Sequence, residues 1–238
     1  MKYVGISANE RVLLPVMNSR RIPISCFIIA KDEADRIGPV IRSVRDWVDE
    51  VVLVDSGSTD GTQELARELG ARVIANGWPG YGPQKRFAEE QCRNNWLLNI
   101  DADESVTPEL ADEIQRIFSG AVPPSADGYK IRIVELLPGE DQPGRFAYTL
   151  TPVRLYRRDR GRYAASTVHD RVAFPDGARL ERLHGIILHR SIRSLAEQLS
   201  KLDRYSTMQA DDFVARDRRL PLIRVYAELP AAFLKAWI

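Results

Sequence analysis

The sequence predicts an α/β protein with a mostly parallel sheet flanked by helices. Two short apolar runs, residues 24–30 and 51–54, are typical of strands that are buried on both faces of a sheet. Between them, apolar residues recur at helical spacing from Ile37 to Val48. Strands that alternate with helices in this way form parallel sheets with right-handed crossovers.

The same unit then repeats along the chain. Residues 62–69 have the pattern of a helix that ends at Gly70, and residues 71–75 that of a strand. Residues 83–93 predict a further helix, which leads into a strand that begins at Trp96. Thr107 is expected to cap the next helix, with Pro108 at its first position. The chain up to Gly120 is therefore expected to be regular α/β structure.

Acidic residues follow several of the predicted strands. Asp32 and Glu33 come after the first strand, Asp55 after the second, and Asp101 and Asp103 after the strand at Trp96. In parallel sheets, ligands bind beyond the carboxyl ends of the strands. On a strand, residues i and i+2 point to the same side, so Asp101 and Asp103 are expected to reach one hard cation that would suit a diphosphate ligand.

One acidic residue, Asp60, is instead expected to be structural, because Asp is common in turns and Gly61-Thr62 follows it. At the start of the helix at residues 83–93, Lys85 and Arg86 could hold phosphate beside free backbone N–H groups. A solvated first helical turn is the alternative for these two cations.

Three segments resemble the signature blocks of the family 2 inverting glycosyltransferases with the GT-A fold, namely residues 28–33, 54–62 and 99–104. Residues 168–170, 188–191 and 201–206 are similar to the branch that includes the lipopolysaccharide-core β-1,4-glucosyltransferases. The resemblance covers residues 22–238. It implies a UDP-sugar donor, a hexose as the transferred group, with glucose expected, and a lipid-linked acceptor such as lipopolysaccharide inner core.

The resemblance also implies roles for single residues on the donor side. Ala30 and Glu33 would border the nucleotide, and Asp55 would accept a hydrogen bond from the uracil ring. Asp101 would lie near the ribose or the metal, whereas Asp103 would ligate Mg²⁺ or Mn²⁺. The metal would stabilise the departing diphosphate as a Lewis acid.

Further roles follow for the second half of the chain. His189 is similar to the histidine that completes the metal or diphosphate site, although a capped strand end is an equal alternative. Inversion needs a base opposite the leaving group, and Asp170 is the candidate, where relatives commonly have Glu. Lys201 and Arg204 share a helix face and match basic residues that approach the diphosphate; a surface pair is the alternative.

Composition and charge bear on the partners. The 238 residues carry a net charge of +1, but residues 145–193 contain eleven arginines and four acidic residues, which suggests a polyanionic ligand or an anionic membrane surface. Nucleic acid is disfavoured because no recognition helix or aromatic-basic RNA motif organises these arginines. The two cysteines, Cys26 and Cys92, fit a reducing cytoplasm and have no zinc-ligand spacing.

The predicted organisation has three parts. Residues 1–21 form an N-terminal tail or edge element, residues 22–192 the catalytic domain, and residues 193–238 an amphipathic helical segment that associates with the membrane. No apolar run is long enough to span a bilayer. We therefore expect a cytoplasmic protein bound peripherally to the inner face of the bacterial cytoplasmic membrane.

Two other functions fit parts of the pattern. A sugar nucleotidyltransferase would share the fold, but it usually has a Gly-rich loop with a basic residue after the first strand, where this chain has Lys31-Asp32-Glu33. A noncatalytic module could bind anionic lipid or glycan through the arginine-rich stretch. It would leave the acidic strand ends without a purpose.

Overall fold

The computed structural model describes residues 21–120, 124–145, 147–164 and 171–194, together with single positions 196, 203 and 207. In the first half of the chain, strands alternate with helices as far as the strand that begins at Trp96, as the sequence predicts. The elements of this half are β1 (Ile22–Ala30), α1 (Ile37–Arg42), β2 (Val48–Asp55), α2 (Thr62–Glu68), β3 (Arg72–Ala75), α3 (Tyr81–Gln91), β4 (Trp96–Asn99), β5 (Glu104–Val106) and α4 (Pro108–Phe118).

Between residues 124 and 194, the described residues form strands and their connections. The strands are β6 (Gly128–Glu135), β7 (Thr149–Leu150), β8 (Val153–Arg157), β9 (Arg162–Tyr163), β10 (Val172–Ala173) and β11 (Leu180–His189). Within the described residues, nine strands join in one sheet with the order β3-β2-β1-β4-β8-β6-β11-β5, and β7 pairs with β6. The short β9 and β10 pair separately.

The expectation of a mostly parallel sheet holds for only part of this sheet. The strands β3, β2, β1 and β4 run parallel to one another, and β6 runs parallel to β11. In contrast, β8 pairs antiparallel with both β4 and β6, and β5 pairs antiparallel with β11. The sheet is therefore mixed, because the chain after α4 returns by a strand hairpin instead of by helical crossovers.

The sheet is covered on both faces. One face packs on α1, α2 and α4 through a core that includes Ile37, Ala66 and Leu110. The other face packs on α3 through Phe27, Ala88 and Tyr156. The apolar runs in β1 and β2 arise from this sandwich, because their side chains meet helices on both sides.

The start of α4 agrees with the sequence prediction, whereas the end of α1 does not. The Thr107 side chain accepts a hydrogen bond from the Leu110 backbone N–H, and Pro108 occupies the first turn, as predicted. The helix expected to run to Val48 instead ends at Arg42, and turns lead into β2. No helix within the described segments is long and apolar enough to cross a bilayer. The predicted C-terminal segment lies almost wholly outside the described residues.

Candidate active site

The loops after β1 and β2 are joined by hydrogen bonds at the carboxyl edge of the sheet. The backbone N–H of Asp32 donates to Ser58 Oγ at 2.8 Å, and that of Glu33 donates to Thr62 Oγ1 at 2.8 Å. Asp60 accepts from the backbone N–H groups of Ala34 and Thr62, so it has the structural role expected of it. These contacts fix the two loops relative to each other.

Asp55 ends β2 beside Ala30, the last residue of β1. Its side chain is fully buried and accepts hydrogen bonds from the backbone N–H groups of Gly57 and Ser58 and from Gln63 Nε2. The carboxylate is thus a central acceptor of the loop after β2. A nucleotide base at this position would have to share these oxygens with the loop.

Asp101 and Asp103 lie in the turn between β4 and β5, and not on a strand as the sequence suggested, because β4 ends at Asn99. Asp101 Oδ1 is 2.9 Å from Lys85 Nζ, and its Oδ2 is 2.9 Å from an Arg154 nitrogen. Asp103 Oδ2 is 3.5 Å from Arg36, and its Oδ1 is 3.3 Å from His189 Nε2. The two carboxylates therefore contact different cations.

Asp101 belongs to an inner group centred on Arg154. This buried guanidinium also donates to Asn99 Oδ1 at 2.6 Å and to Glu104 Oε1 at 2.7 Å. Desolvation acts to raise the pKa of Asp101, but the charges of Arg154 and Lys85 hold it well below its usual range. For Glu104, desolvation dominates and, with the charge of Asp101, raises the pKa to about 7.

Lys85 has a position that the sequence did not predict. Its side chain is 1% exposed, and its ammonium group lies 5.2 Å from the centroid of the Tyr163 ring. Arg86 donates to the backbone carbonyl of Tyr163 at 3.1 Å. The structure therefore places Lys85 behind Asp101 as its counter-ion, and Arg86 as a tie between α3 and β9.

Asp103 belongs to an outer group that is partly open to solvent. His189 ends β11, and its Nδ1 is 2.8 Å from Glu135 Oε2 at the end of β6. Partial burial acts to lower the pKa of His189, but Asp103, Glu104 and Glu135 together raise it to about 9. Arg36 joins this group to Glu33, to which its Nε donates at 2.8 Å.

The outer group fits a divalent cation in part. An aspartate oxygen and an imidazole nitrogen 3.3 Å apart could ligate Mn²⁺ or Mg²⁺ once His189 releases the proton that its raised pKa retains, and both side chains are reachable from solvent. Among the described residues, no set of three or more acidic, histidine or cysteine side chains is placed to hold a metal. Phosphate oxygens and water would have to complete the coordination, as is usual for Mg²⁺.

A cavity of about 690 Å³ opens beside the outer group. Glu135 and His189 form one wall, and the connection between β6 and β7 forms the other. Tyr148 and Leu137 bring large exposed apolar surfaces, whereas Glu140 and Arg145 bring charge. The cavity can thus hold a ligand with both apolar and polar faces, next to the candidate metal ligands.

Of the predicted site residues, Arg36 joins Glu33 to Asp103, Asp103 contacts His189, and Lys85 contacts Asp101. Asp170, Lys201 and Arg204 lie outside the described residues. Sequence reasoning missed four site residues: Arg36, Glu104, Glu135 and Arg154. Glu135 ends an apolar strand pattern, which is a signal that could have identified it. Arg154 gave no signal, because it is one of many arginines in its stretch.

Comparisons with known proteins agree with this geometry. The family model described as glycosyl transferase family 2 matches residues 25–172. The uncharacterized glycosyltransferase RP128 of Rickettsia prowazekii is 40% identical over 90% of this chain and 76% of its own. The lipopolysaccharide core biosynthesis glycosyltransferase LpsC of Rhizobium meliloti is 32% identical over 91% of this chain and 81% of its own.

A solved structure extends the likeness to the fold. TarS 1-349 of S. aureus gives a TM-score of 0.52 at 18% identity, covering 71% of this chain and 61% of that one. Together with the sheet edge and its carboxylates, these matches define a GT-A-like glycosyltransferase architecture. The chain belongs to glycosyl transferase family 2.

Proposed function

We propose that the protein transfers a hexosyl group, most simply glucose, from a UDP-sugar to a lipid-linked glycan acceptor with inversion at the sugar carbon. The observation that carries this proposal is the pairing of Asp103 with His189 at the carboxyl edge of the sheet. We assign the donor diphosphate to this pair, between the loops after β1 and β2 and the cavity beside Glu135. Parallel α/β sheets bind nucleotides at such an edge.

The donor assignment has support from the edge itself and from a structural neighbour. Ala30 and Asp55 end β1 and β2, and Glu33 lies in the loop after β1. The family resemblance implies that the nucleoside binds at these loops. TarS, which shares the fold, has been solved in complex with UDP-GlcNAc. We assign the UDP moiety of this protein's donor to the same loops.

Metal dependence is part of the proposal. Asp103 and His189 would hold Mg²⁺ or Mn²⁺, and Asp101 would act beside them as a carboxylate already neutralised by Lys85 and Arg154. The bound ion would neutralise the charge that grows on the departing diphosphate. Arg36 lies close enough to Asp103 to add positive charge at the same place.

Transfer also requires a proton acceptor on the acceptor side. The acceptor hydroxyl oxygen forms a bond to the anomeric carbon while the bond from that carbon to the diphosphate oxygen breaks. Asp170 is proposed to take the hydroxyl proton. The ends of its segment are held by β9 and β10, where the Ala164 backbone N–H donates to the Arg171 carbonyl at 3.0 Å.

The acceptor is proposed to enter the 690 Å³ cavity. Tyr148 and Leu137 would contact the apolar faces of sugar rings, while Glu140 and Arg145 would bind hydroxyl or phosphate groups. LpsC is described as acting in lipopolysaccharide core biosynthesis, which supports an acceptor of that class. Such an acceptor would place the enzyme at the inner face of the cytoplasmic membrane.

A thermal-shift experiment tests the donor side. UDP-glucose, UDP-GlcNAc, UDP and GDP-mannose are added with and without Mn²⁺, because a ligand that binds the folded form raises the melting temperature. We expect a metal-dependent shift with UDP compounds. Asp103→Asn should abolish the metal dependence, whereas Asp112→Asn on the exposed side of α4 should not. Equal shifts with and without Mn²⁺ would contradict the metal assignment.

A transfer assay tests the chemistry. With a UDP-sugar and a lipopolysaccharide-core acceptor, release of UDP is expected, whereas release of pyrophosphate from UTP and a sugar 1-phosphate would identify a nucleotidyltransferase. Asp170→Asn should keep the UDP-induced thermal shift but lose transfer by about 10²-fold or more. Ordinary transfer by this variant would remove Asp170 from the mechanism. Absence of any nucleotide binding would leave only a noncatalytic module.

A further inference from the structure

The arginine-rich stretch of residues 145–193 is largely used inside the protein. Carboxylates bind six of its arginines: Arg154, Arg157, Arg160, Arg162, Arg179 and Arg193. Arg158 and Arg190 donate to backbone carbonyls. The polyanion surface that composition suggested is therefore much smaller than the count of arginines implies.

A different set of cations is left exposed on β6 and β11. Arg182 lies directly across from Lys130 in the parallel pairing of these strands, so their side chains point to the same face. Arg132, two residues beyond Lys130, shares that face. All three side chains are exposed, and none has a carboxylate partner among the described residues. We call these three residues the cationic face.

The close placement of these three positive charges lowers the stability of the fold unless an anion lies near them. Like charges directly opposite each other on a sheet are destabilising. Glu181 is the nearest acidic residue along β11, but its strand neighbour is Tyr129, so it points to the opposite face, where it pairs with Arg179. Among the described residues, most arginines of the stretch are thus paired, whereas these three cations have no carboxylate partner.

The surroundings of the cationic face suit a membrane. Leu180 precedes Arg182 by two residues on the same face of β11 and is 36% exposed. The α1, α2 and α4 helices cover the other face of the sheet, and α3 packs on this face mainly at β1 and β2, so the three cations on β6 and β11 are exposed. A flat sheet surface with exposed cations and an apolar neighbour complements anionic headgroups.

We propose that the cationic face docks the enzyme on the anionic phospholipid surface of a bilayer. This inference rests on the proposed lipid-linked acceptor and adds the orientation in which that acceptor is reached. Lys130 and Glu135 are five residues apart on one strand, which corresponds to about 16 Å. With the sheet face on the bilayer, this distance runs along the membrane, so the cavity would open to one side of the docked face.

Vesicle sedimentation tests the proposal with the full chain. The wild-type protein is mixed with vesicles of phosphatidylcholine alone or with 30% phosphatidylglycerol, and we expect binding only to the second kind. The triple variant Lys130→Gln, Arg132→Gln, Arg182→Gln should bind about 100-fold more weakly, since each basic residue near an anionic surface contributes about five-fold. Its melting temperature should equal or exceed that of the wild type.

A matched triple variant removes the same charge from the helices on the other face: Arg42→Gln, Arg67→Gln and Arg116→Gln. It should lose no more than a few-fold in vesicle binding. Equal losses in both triple variants, or no loss in the first, would overturn the assignment. Displacement by inorganic phosphate beyond that by NaCl of equal ionic strength would also overturn it, in favour of a discrete phosphate site. Both variants should keep the UDP-induced thermal shift, so a failure of donor binding is distinguished from a failure of docking.

Discussion

Arg154 is the residue whose removal should disturb the site most. Arg154→Met keeps a long apolar side chain but removes the donors to Asn99, Asp101 and Glu104. Breaking a buried ion pair by removing one partner typically costs about 3–5 kcal/mol. The lower end applies here, because Asp101 keeps Lys85 at 2.9 Å and Glu104, with a pKa of about 7, can accept a proton.

We therefore expect Arg154→Met to lose about 3 kcal/mol of unfolding free energy, which corresponds to roughly 6–12 °C in melting temperature for a chain of this size. Urea unfolding at pH 7.5, followed by fluorescence and circular dichroism, measures this. Arg154→Lys restores charge but not the fork of donors, so it should recover only part of the loss.

A double variant separates the ion pair from simple packing. Glu104→Gln removes the carboxylate that Arg154→Met leaves buried, so the combination should be at least 1 kcal/mol more stable than the sum of the single effects predicts. Additive effects, or a loss below 1 kcal/mol for Arg154→Met alone, would refute the reasoning. In that case water would be solvating the inner group.

Three further predictions concern packing, pH and backbone conformation. Gly185→Ala would place a Cβ 2.5 Å from the Leu110 Cα, so it should lower the unfolding free energy by about 2 kcal/mol or more. Gly144→Ala would place a Cβ 3.8 Å from Glu140 Oε1, an ordinary contact, so it should change the unfolding free energy by less than about 0.5 kcal/mol in the same urea assay. Since the pKa of His189 is raised to about 9, the stability that its charged form contributes is complete below about pH 6.5 and is lost as the pH rises through 9. The metal-free wild type should therefore lose up to about 3 kcal/mol of unfolding free energy between these pH values. An equal loss in a His189→Gln variant would refute this reasoning. Asp32 has φ of 55° and accepts from the backbone N–H of Thr59 at 2.9 Å, so Asp32→Ala should lower the melting temperature and weaken the UDP-induced shift, while Asp32→Gly should restore part of the stability.

Strands, helix caps and strand-end carboxylates could be predicted from the sequence where the signal lies in a few neighbouring residues. The apolar runs of β1 and β2, the Thr107 cap with Pro108, and the carboxylates that follow the strands could all be read from neighbouring residues, because burial on two faces and helix capping act over a few positions. These signals were enough to predict an α/β fold with a ligand site at the carboxyl edge.

The cations that those carboxylates contact depend on the tertiary structure. Arg154 reaches Asp101 because β8 inserts antiparallel beside β4, and that pairing joins residues more than fifty positions apart. His189 meets Asp103 because β11 lies between β6 and β5 in a mixed sheet. Strand order depends on how whole surfaces pack together, and no single residue in the sequence indicates it. The division of the site residues into an inner and an outer group therefore appears only in the folded molecule.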